Sequence, residues 1–341
     1  MKKYLALILS LVLMLTAFAA CTNTTTDPTQ ASEPDATTVA DAVEEITPSD
    51  AAPIRVAGMK GPTSIGMVKI MEDNTVSGTY DFTIAGTADE IAPKLIKGEL
   101  DIAAVPANLA SVLYNKTQGA VSVLAINTLG VLYIVEKGES VNSFEDLIGK
   151  TIYATGKGTT PEYSLRYLLT QNGIDPDNDV TIEFRSEATE IVSVLATAEE
   201  GIAMLPQPYV TVASQKVEGL RTAINLNDEW NKLDNGSKLV TGVVVARNDF
   251  IANNSEAVTA FLNEYKASVD YVNTNTEDAA ALVEKFDIFA AAVAKKAIPQ
   301  CNIVYLDGEE MASALTAYLT VLYEQNPASI GGNLPGEDFC Y

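Results

Sequence analysis

From Ile54 onward the sequence predicts an α/β fold, a mostly parallel sheet with helices on both faces. Three observations carry this. Short β-rich runs alternate with helical stretches as far as Ala246. Hydrophobic residues make up 47% of the 341-residue chain, enough for a substantial core. From Ser255 the pattern turns almost wholly helical, with one apolar stripe through Ala260, Phe261, Tyr265, Val269 and Val272 and another through Met311, Leu315, Tyr318, Leu319 and Leu322. Strands that alternate with helices bury both faces of a sheet under those helices.

The elements follow in order. Ile54 to Met59 is a β-rich run, then Gly61-Pro62-Thr63-Ser64 turns into a helix reaching about Glu72. Tyr80, Phe82 and Ile84 alternate with polar residues, the period of a strand. Asp89 to Lys97 reads as a helix closed by Gly98, Asp101 to Pro106 as a buried strand, and Asn108 to Thr117 as a helix. Val121 to Val135 holds two strands meeting near Thr128 to Gly130. Ser143 is expected to cap a short helix, with Asp146 in capping-box position. Thr151 to Thr155 is a strand. Thr160 to Asn172 is a helix with Pro161 at its first turn and Gly173 beyond its end. Strands are expected at Thr181–Phe184, Ile202–Leu205, Thr222–Leu226 and Leu239–Ala246.

Composition removes several function classes. The formal charge is −23, whereas nucleic acid and anionic lipid both demand basic patches. There is no histidine. Ser-His-Asp and Cys-His nucleophiles and the usual catalytic zinc sites therefore lack their residues. No Walker A loop and no GxGxxG opens a helix after a strand. The reading is not an enzyme, with no cofactor and no metal.

The N-terminus reads as an export signal. Lys2 and Lys3 precede an apolar run from Tyr4 to Phe18, followed by Ala19, Ala20 and Cys21. A membrane-spanning helix needs about 20 apolar residues, so this run is short for one. Small residues before a cysteine resemble the bacterial lipobox, with Phe18 where Leu is usual. Cys21 is the lipidation candidate, and the chain is expected to be lipid-anchored (palmitate) on the extracellular face of the cytoplasmic membrane. Residues 22–50 are rich in Thr, Ser, Pro, Asp and Ala and read as a flexible tether, spanning ~30 Å as a coil. Beyond Cys21 only Cys301 and Cys340 remain, a pair that an oxidising compartment could join.

Ligands of such sheets gather at strand carboxyl ends beside helix N-termini. Two loops fit that place. Lys60, Pro62, Thr63 and Ser64 follow the first strand; Lys157, Thr159, Thr160 and Tyr163 belong to the Gly156–Tyr163 loop. Free N–H groups and a lysine suit a small oxyanion; plain helix capping is the bland alternative. No arginine is expected to face the site.

From Ile54 to about Tyr323 the chain resembles solute-binding proteins of bacterial ABC importers, of the nitrate/sulfonate/taurine type that includes proteins for thiamine precursors. Glu90 to Ala104, the Asp146-Leu147-Ile148-Gly149-Lys150 turn, the Gly156–Tyr163 loop, Leu205 to Tyr209 and Thr241 to Arg247 carry the resemblance by their order. In the fourth of these Gln207 replaces an acid. The resemblance implies a periplasmic-binding-protein type II fold, two α/β lobes joined by a two-stranded hinge. The expected organisation is a signal peptide over 1–20, a lipid-anchored linker over 21–52, a discontinuous first lobe over 53–135 and 240–341, and a second lobe over 136–239. Crossings are expected near Tyr133–Lys137 and Lys238–Val243. It also implies capture of a small solute by hinge closure and delivery to a membrane permease, by a monomer. Thr87, Pro106, Asn108, Gln207, Tyr209 and Thr241 join the candidate ligand-binding set. The solute is an organic anion, sulfonate- or carboxylate-like, or a heteroaromatic ring stacked on Tyr163 and Tyr209. A ligand-sensing or adhesive lipoprotein on the same fold is the alternative. Pyrimidine-synthesising relatives use their own histidine and iron, a route closed to a chain without histidine.

Overall fold

Two mixed sheets, rather than one mostly parallel sheet, organise the computed structural model, which describes residues 52–341. The export signal, Cys21 and the tether lie outside the described residues. The chain begins with β1 (Ile54–Met59), α1 (Pro62–Ile65), α2 (Val68–Ser77), β2 (Tyr80–Ala85), α3 (Ala88–Ile96), β3 (Ile102–Pro106), α4 (Ala107–Thr117) and β4 (Val121–Leu129). It then enters β5 (Leu132–Lys137), β6 (Thr151–Ala154), α5 (Thr160–Gln171), β7 (Thr181–Phe184), α6 (Ala188–Thr197), β8 (Gly201–Pro206), α7 (Tyr209–Lys216), β9 (Leu220–Asn225) and α8 (Leu226–Lys232). It closes with β10 (Val240–Arg247), α9 (Asn248–Asn253), α10 (Ser255–Thr274), α11 (Thr276–Lys285), α12 (Ala291–Ala297), β11 (Ile303–Leu306) and α13 (Gly308–Gln325).

The first sheet has the order β11-β4-β10-β3-β1-β2, the second β7-β6-β8-β5-β9. The strands next to a βαβ crossover pair in parallel: β1 with β2 and β3, β6 with β7 and β8. The strands flanking the passages between sheets pair antiparallel: β10 with β3 and β4, β5 with β8 and β9. A chain that leaves a sheet and returns to it reverses direction, which corrects the expectation of a mostly parallel arrangement.

The first passage between sheets falls earlier than expected. Tyr133 to Lys137, the expected first crossing, already pair with β8 and β9, so the change of sheet occurs at Gly130–Val131. The boundary expected at 135/136 would cut β5 in two. The second passage is the α8-bearing segment 226–239, ending where Val240 pairs with Leu129. At Gly130 an added Cβ would lie 2.3 Å from Asn227 Oδ1, so a side chain there collides with α8.

Other differences are local. The expected first helix is broken into α1 and α2 at Gly66, where a Cβ would come within 3.2 Å of Ile303 and 3.3 Å of the Tyr265 hydroxyl. Ser143 does not cap; instead the Asp146 carboxylate accepts from the main-chain N–H of Asn142 (2.8 Å) and Ser143 (3.0 Å), and only a 3-10 turn, Glu145–Leu147, follows. The helical C-terminal third is interrupted by β11, an edge strand on β4. Cys301 and Cys340 are both free. Asn302 bonds to Leu129 at one end of β4 and Cys340 bridges Val123 near the other, about 20 Å apart at strand rise, far beyond disulfide reach.

One apolar core runs through both sheets. It contains Val243 and Val245 of β10, Leu132 and Ile134 of β5, Leu165 and Leu168 of α5, Trp230 of α8 and Met311, Leu315 and Tyr318 of α13. Trp230, fully buried, packs between Tyr167 (ring centroids 4.9 Å apart) and Tyr318 (5.5 Å). Two further clusters are each confined to one sheet and its helices.

In the first sheet, an ionic cluster locks three strands together. Asp101, just before β3, accepts from Arg55 on β1 through the main-chain N–H (2.9 Å), Nε (2.9 Å) and Nη2 (2.5 Å), and from Arg247 Nη2 at the end of β10 (3.1 Å). Burial pushes the Asp101 carboxyl up, but these hydrogen bonds outweigh it and hold it below its ordinary value. A carboxyl depressed on folding stabilises the fold above the ordinary carboxylate range, and that stability is lost as pH falls through the lowered value. Asp101→Asn should therefore cost on the order of 2 kcal/mol at pH 7, at the low end for a broken ion pair because Arg55 is part-exposed. The cost should shrink towards pH 3, as read by urea unfolding at both pH values.

Candidate functional site

The carboxyl ends of strands from both sheets, with the amino ends of the antiparallel β5 and β10, face one cavity of about 990 Å³. This volume lies at the upper end of the range for small-molecule sites. The first sheet contributes Lys60, Pro62 and Thr63 after β1, Thr87 after β2, Pro106 at the end of β3, Thr128 of β4 and Thr241 of β10. The second contributes Lys157 and Thr159 after β6, Phe184 and Arg185 at the end of β7, Glu187 before α6, Pro206 ending β8, and Tyr209 opening α7. Val131 and Leu132, at the first passage, lie between the two sets, and Phe286 and Asp287 after α11 add a further wall.

Nine of the candidate residues line this cavity: Lys60, Pro62, Thr63, Thr87, Pro106, Lys157, Thr159, Tyr209 and Thr241. The other five do not, each for a visible reason. Ser64 turns inward, donating to the Met59 carbonyl at 2.6 Å, in the space that the missing side chain of Gly58 leaves. Asn108 is fully buried; its amide donates to the carbonyls of Ser329 (2.9 Å) and Gly158 (3.3 Å). Thr160, also buried, donates to Asn108 Oδ1 at 3.2 Å. Tyr163 packs half-buried against the shared core. Gln207 is 1% exposed, and its amide is bound to Thr211 and Gln300.

The helix starts at the cavity are already supplied with anions. Glu90 of α3 accepts from the N–H of Gly86 (3.0 Å) and Thr87 (2.9 Å). Glu162 of α5 accepts from the N–H of Gly158 at 2.6 Å and pairs with Arg166 at 2.9 Å. Thr159 Oγ1 donates to the Gly156 carbonyl at 2.7 Å. Gly156 is at φ +75°, and a Cβ there would lie 2.8 Å from Thr159 Oγ1, so this tight turn requires glycine. The donors expected for an external oxyanion are thus partly spent on the helices' own carboxylates.

Charge and burial separate within the cavity. Lys60, Asp89, Lys157, Glu187 and Asp287 are exposed. Arg185, half-buried, pairs with Glu183 at 2.6 Å and lies 5.3 Å from the Tyr153 ring centroid. The buried lining is uncharged: Thr63, Pro106, Thr128, Val131 and Leu132. Thr241 Oγ1 is shielded from solvent and has no hydrogen-bond partner among the described residues. Phe184, Tyr209 and Phe286 present aromatic rings. Burial, then the charge of Glu187, push the Tyr209 phenol above its usual value, so it stays a neutral donor.

Arg185 corrects the expectation that no arginine faces the site. The loop after β7 occupies the same strand-end, helix-start position as the two glycine loops, but Phe184-Arg185-Ser186-Glu187 contains no glycine to mark it. Phe286 and Asp287 carry no sequence signal at all, since they enter the cavity from between two helices.

Comparison with known proteins places this geometry. The family model described as NMT1/THI5 like matches residues 110–279. A curated binding protein of Brucella abortus is 26% identical over 174 residues, 51% of this chain and 52% of that protein. The chain spans about half the length of the curated relatives it matches. Among solved structures, an ABC transporter protein from Parabacteroides distasonis superposes with a TM-score of 0.71 at 25% identity, covering 85% of this chain and 99% of that one. The periplasmic aliphatic sulphonate binding protein SsuA of Escherichia coli superposes with a TM-score of 0.68 at 13% identity, covering 85% and 92%. This chain has the periplasmic-binding-protein type II fold, and its residues 110–279 match the NMT1/THI5-like family model.

Proposed function

We propose that the chain is the solute-binding component of an ABC importer, which captures a small organic solute by closure of two lobes and hands it to a membrane permease. The observation that carries this reading is the cavity lined from the ends of both sheets, at a scale suited to one organic molecule. We divide the lobes at the passages between sheets: 53–131 with 240–341, and 132–239. A solute touching both lobes binds the closed arrangement better than the open one, and that difference drives closure. The role is binding, with no catalytic step assigned to any residue.

The solute's buried part is uncharged. The fully buried lining holds threonine hydroxyls, Pro106 and aliphatic groups but no cation, Arg185 being half-buried and paired with Glu183. A sulfonate buried there would lose its hydration without a charged partner. The three rings favour a planar heteroaromatic body, and Lys60 and Lys157 at the exposed edge suit an acidic substituent pointing outward. A thermal-shift panel on the full chain in detergent, spanning pyrimidines, aromatic carboxylates, alkyl sulfonates and nitrate, tests this. A solute at a hundred times its Kd adds about 2.7 kcal/mol to stability. Phe184→Ala should weaken the best hit about fivefold, the scale of one aromatic contact. A hit whose affinity is unchanged by both Phe184→Ala and Thr241→Val places the solute outside this cavity.

The lipid anchor belongs to the same proposal. With Cys21 acylated and residues 22–50 as tether, the lobes work outside the cytoplasmic membrane. Cys21→Ser should abolish incorporation of labelled palmitate and move the chain from the membrane to the soluble fraction. Unchanged labelling removes the anchor.

A further inference from the structure

The two sides of the cavity are built differently. On one side, the shared core continues from sheet to sheet. On the other, the cores are separate: Phe286, Ile288, Phe289, Ile298 and Cys301 pack with the first sheet, while Tyr133, Tyr209 and Val210 belong to a cluster confined to the second. The two clusters meet at Gln300 and Phe289. Gln207 Nε2 donates to Gln300 Oε1 at 2.9 Å, and the Tyr133 hydroxyl donates to the Gln300 carbonyl at 3.2 Å. The Phe289 and Tyr209 rings meet edge-on, with centroids 5.1 Å apart at 78°.

We propose that Gln300 is a positioning residue for solute capture: it latches the second lobe to the first on the side where no common core joins them. This rests on the binding-protein reading above. The polarity of the contact is determined by the second lobe. Gln207 Oε1 accepts from Thr211 Oγ1 at 2.8 Å and Thr211 N–H at 3.3 Å, so its amide nitrogen must face outward as a donor. Gln207 is 1% exposed, and opening the lobes deprives that donor of its acceptor. The latch is set apart from the solute, because neither Gln207 nor Gln300 lines the cavity. It is nevertheless mechanically joined to it, since Tyr209 and the Phe286–Asp287 turn, on the same two segments, do. Gln207, chosen from the sequence as a ligand contact, therefore acts on affinity through closure.

The side chain at 300 needs an acceptor, not bulk or charge, and this makes the test specific. Energy transfer is recorded on the full chain in detergent, with no solute added, between fluorophores on noncanonical residues at Val76 of α2, 89% exposed, and Thr197 at the end of α6, also exposed. The expected result is a fall in the closed-to-open ratio of about three- to tenfold for Gln300→Ala and Gln300→Lys, the scale of one neutral hydrogen bond. Gln300→Glu, which keeps the acceptor, should retain the wild-type distribution. Two results overturn the latch: wild-type transfer in both Gln300→Ala and Gln300→Lys, or loss in Gln300→Glu equal to that in Gln300→Ala. The solute panel reads capture and the transfer reads lobe separation alone. A panel hit combined with unaltered variants removes the latch and leaves the binding function standing, whereas a panel that fails while the variants respond does the reverse.

Discussion

The structure depends on a core that two sheets share on one side only. Trp230, Tyr318 and Leu168 bring α8, α13 and α5 into a single apolar cluster that also holds inward residues of β5 and β10. Separating the sheets there would expose large buried rings, at several kcal/mol for each aromatic. On the opposite side the contact is a pair of hydrogen bonds and one aromatic edge. The molecule is thus stiff along one side and weakly held along the other, with the cavity between. Under the proposed closure, the lobes would pivot about the shared core and part along the weakly held side.

Electrostatics within the cavity follow from the helices' own needs. A helix start attracts anions because its first N–H groups have no partner in the helix. Here Glu90 and Glu162 meet part of that need from within the chain. The free charges are left to the exposed edge, where solvent screens them, and the sheltered space keeps only hydroxyls and apolar surface. In the proposed binding role, selectivity in such a space would rest on shape and on unmet hydrogen bonds such as that of Thr241 Oγ1 more than on net charge.

Much of the fold was legible because periodicity is local. The alternation in Tyr80–Ile84, the Pro161 and Gly173 that bracket α5, and the stripes of α10 and α13 are readable from neighbours in the chain. β11 was not, since a four-residue apolar run amid helices has no period of its own and becomes a strand only because β4 offers an edge. In the cavity, Lys60, Thr63, Lys157 and Thr159 were legible through their glycine loops. Arg185 was missed because its loop lacks glycine. Ser64 and Thr160 belong to the expected loops and Asn108 to the first turn of α4, yet all three side chains turn inward: Ser64 bonds to Met59, five residues back, while Asn108 and Thr160 bond with partners near only in space.

The sequence by itself determined the alternation of elements, the strand-end loops and the absence of histidine chemistry, all of which depend on residue type and short spacing. Only the tertiary structure decided where the chain changes sheet, which candidate side chains face the cavity and that Gln207 meets Gln300. Those outcomes depend on contacts between segments 93 to 221 positions apart. Such contacts exist only after the sheets pack, because a side chain's direction is chosen by whatever neighbour can satisfy its hydrogen bonds.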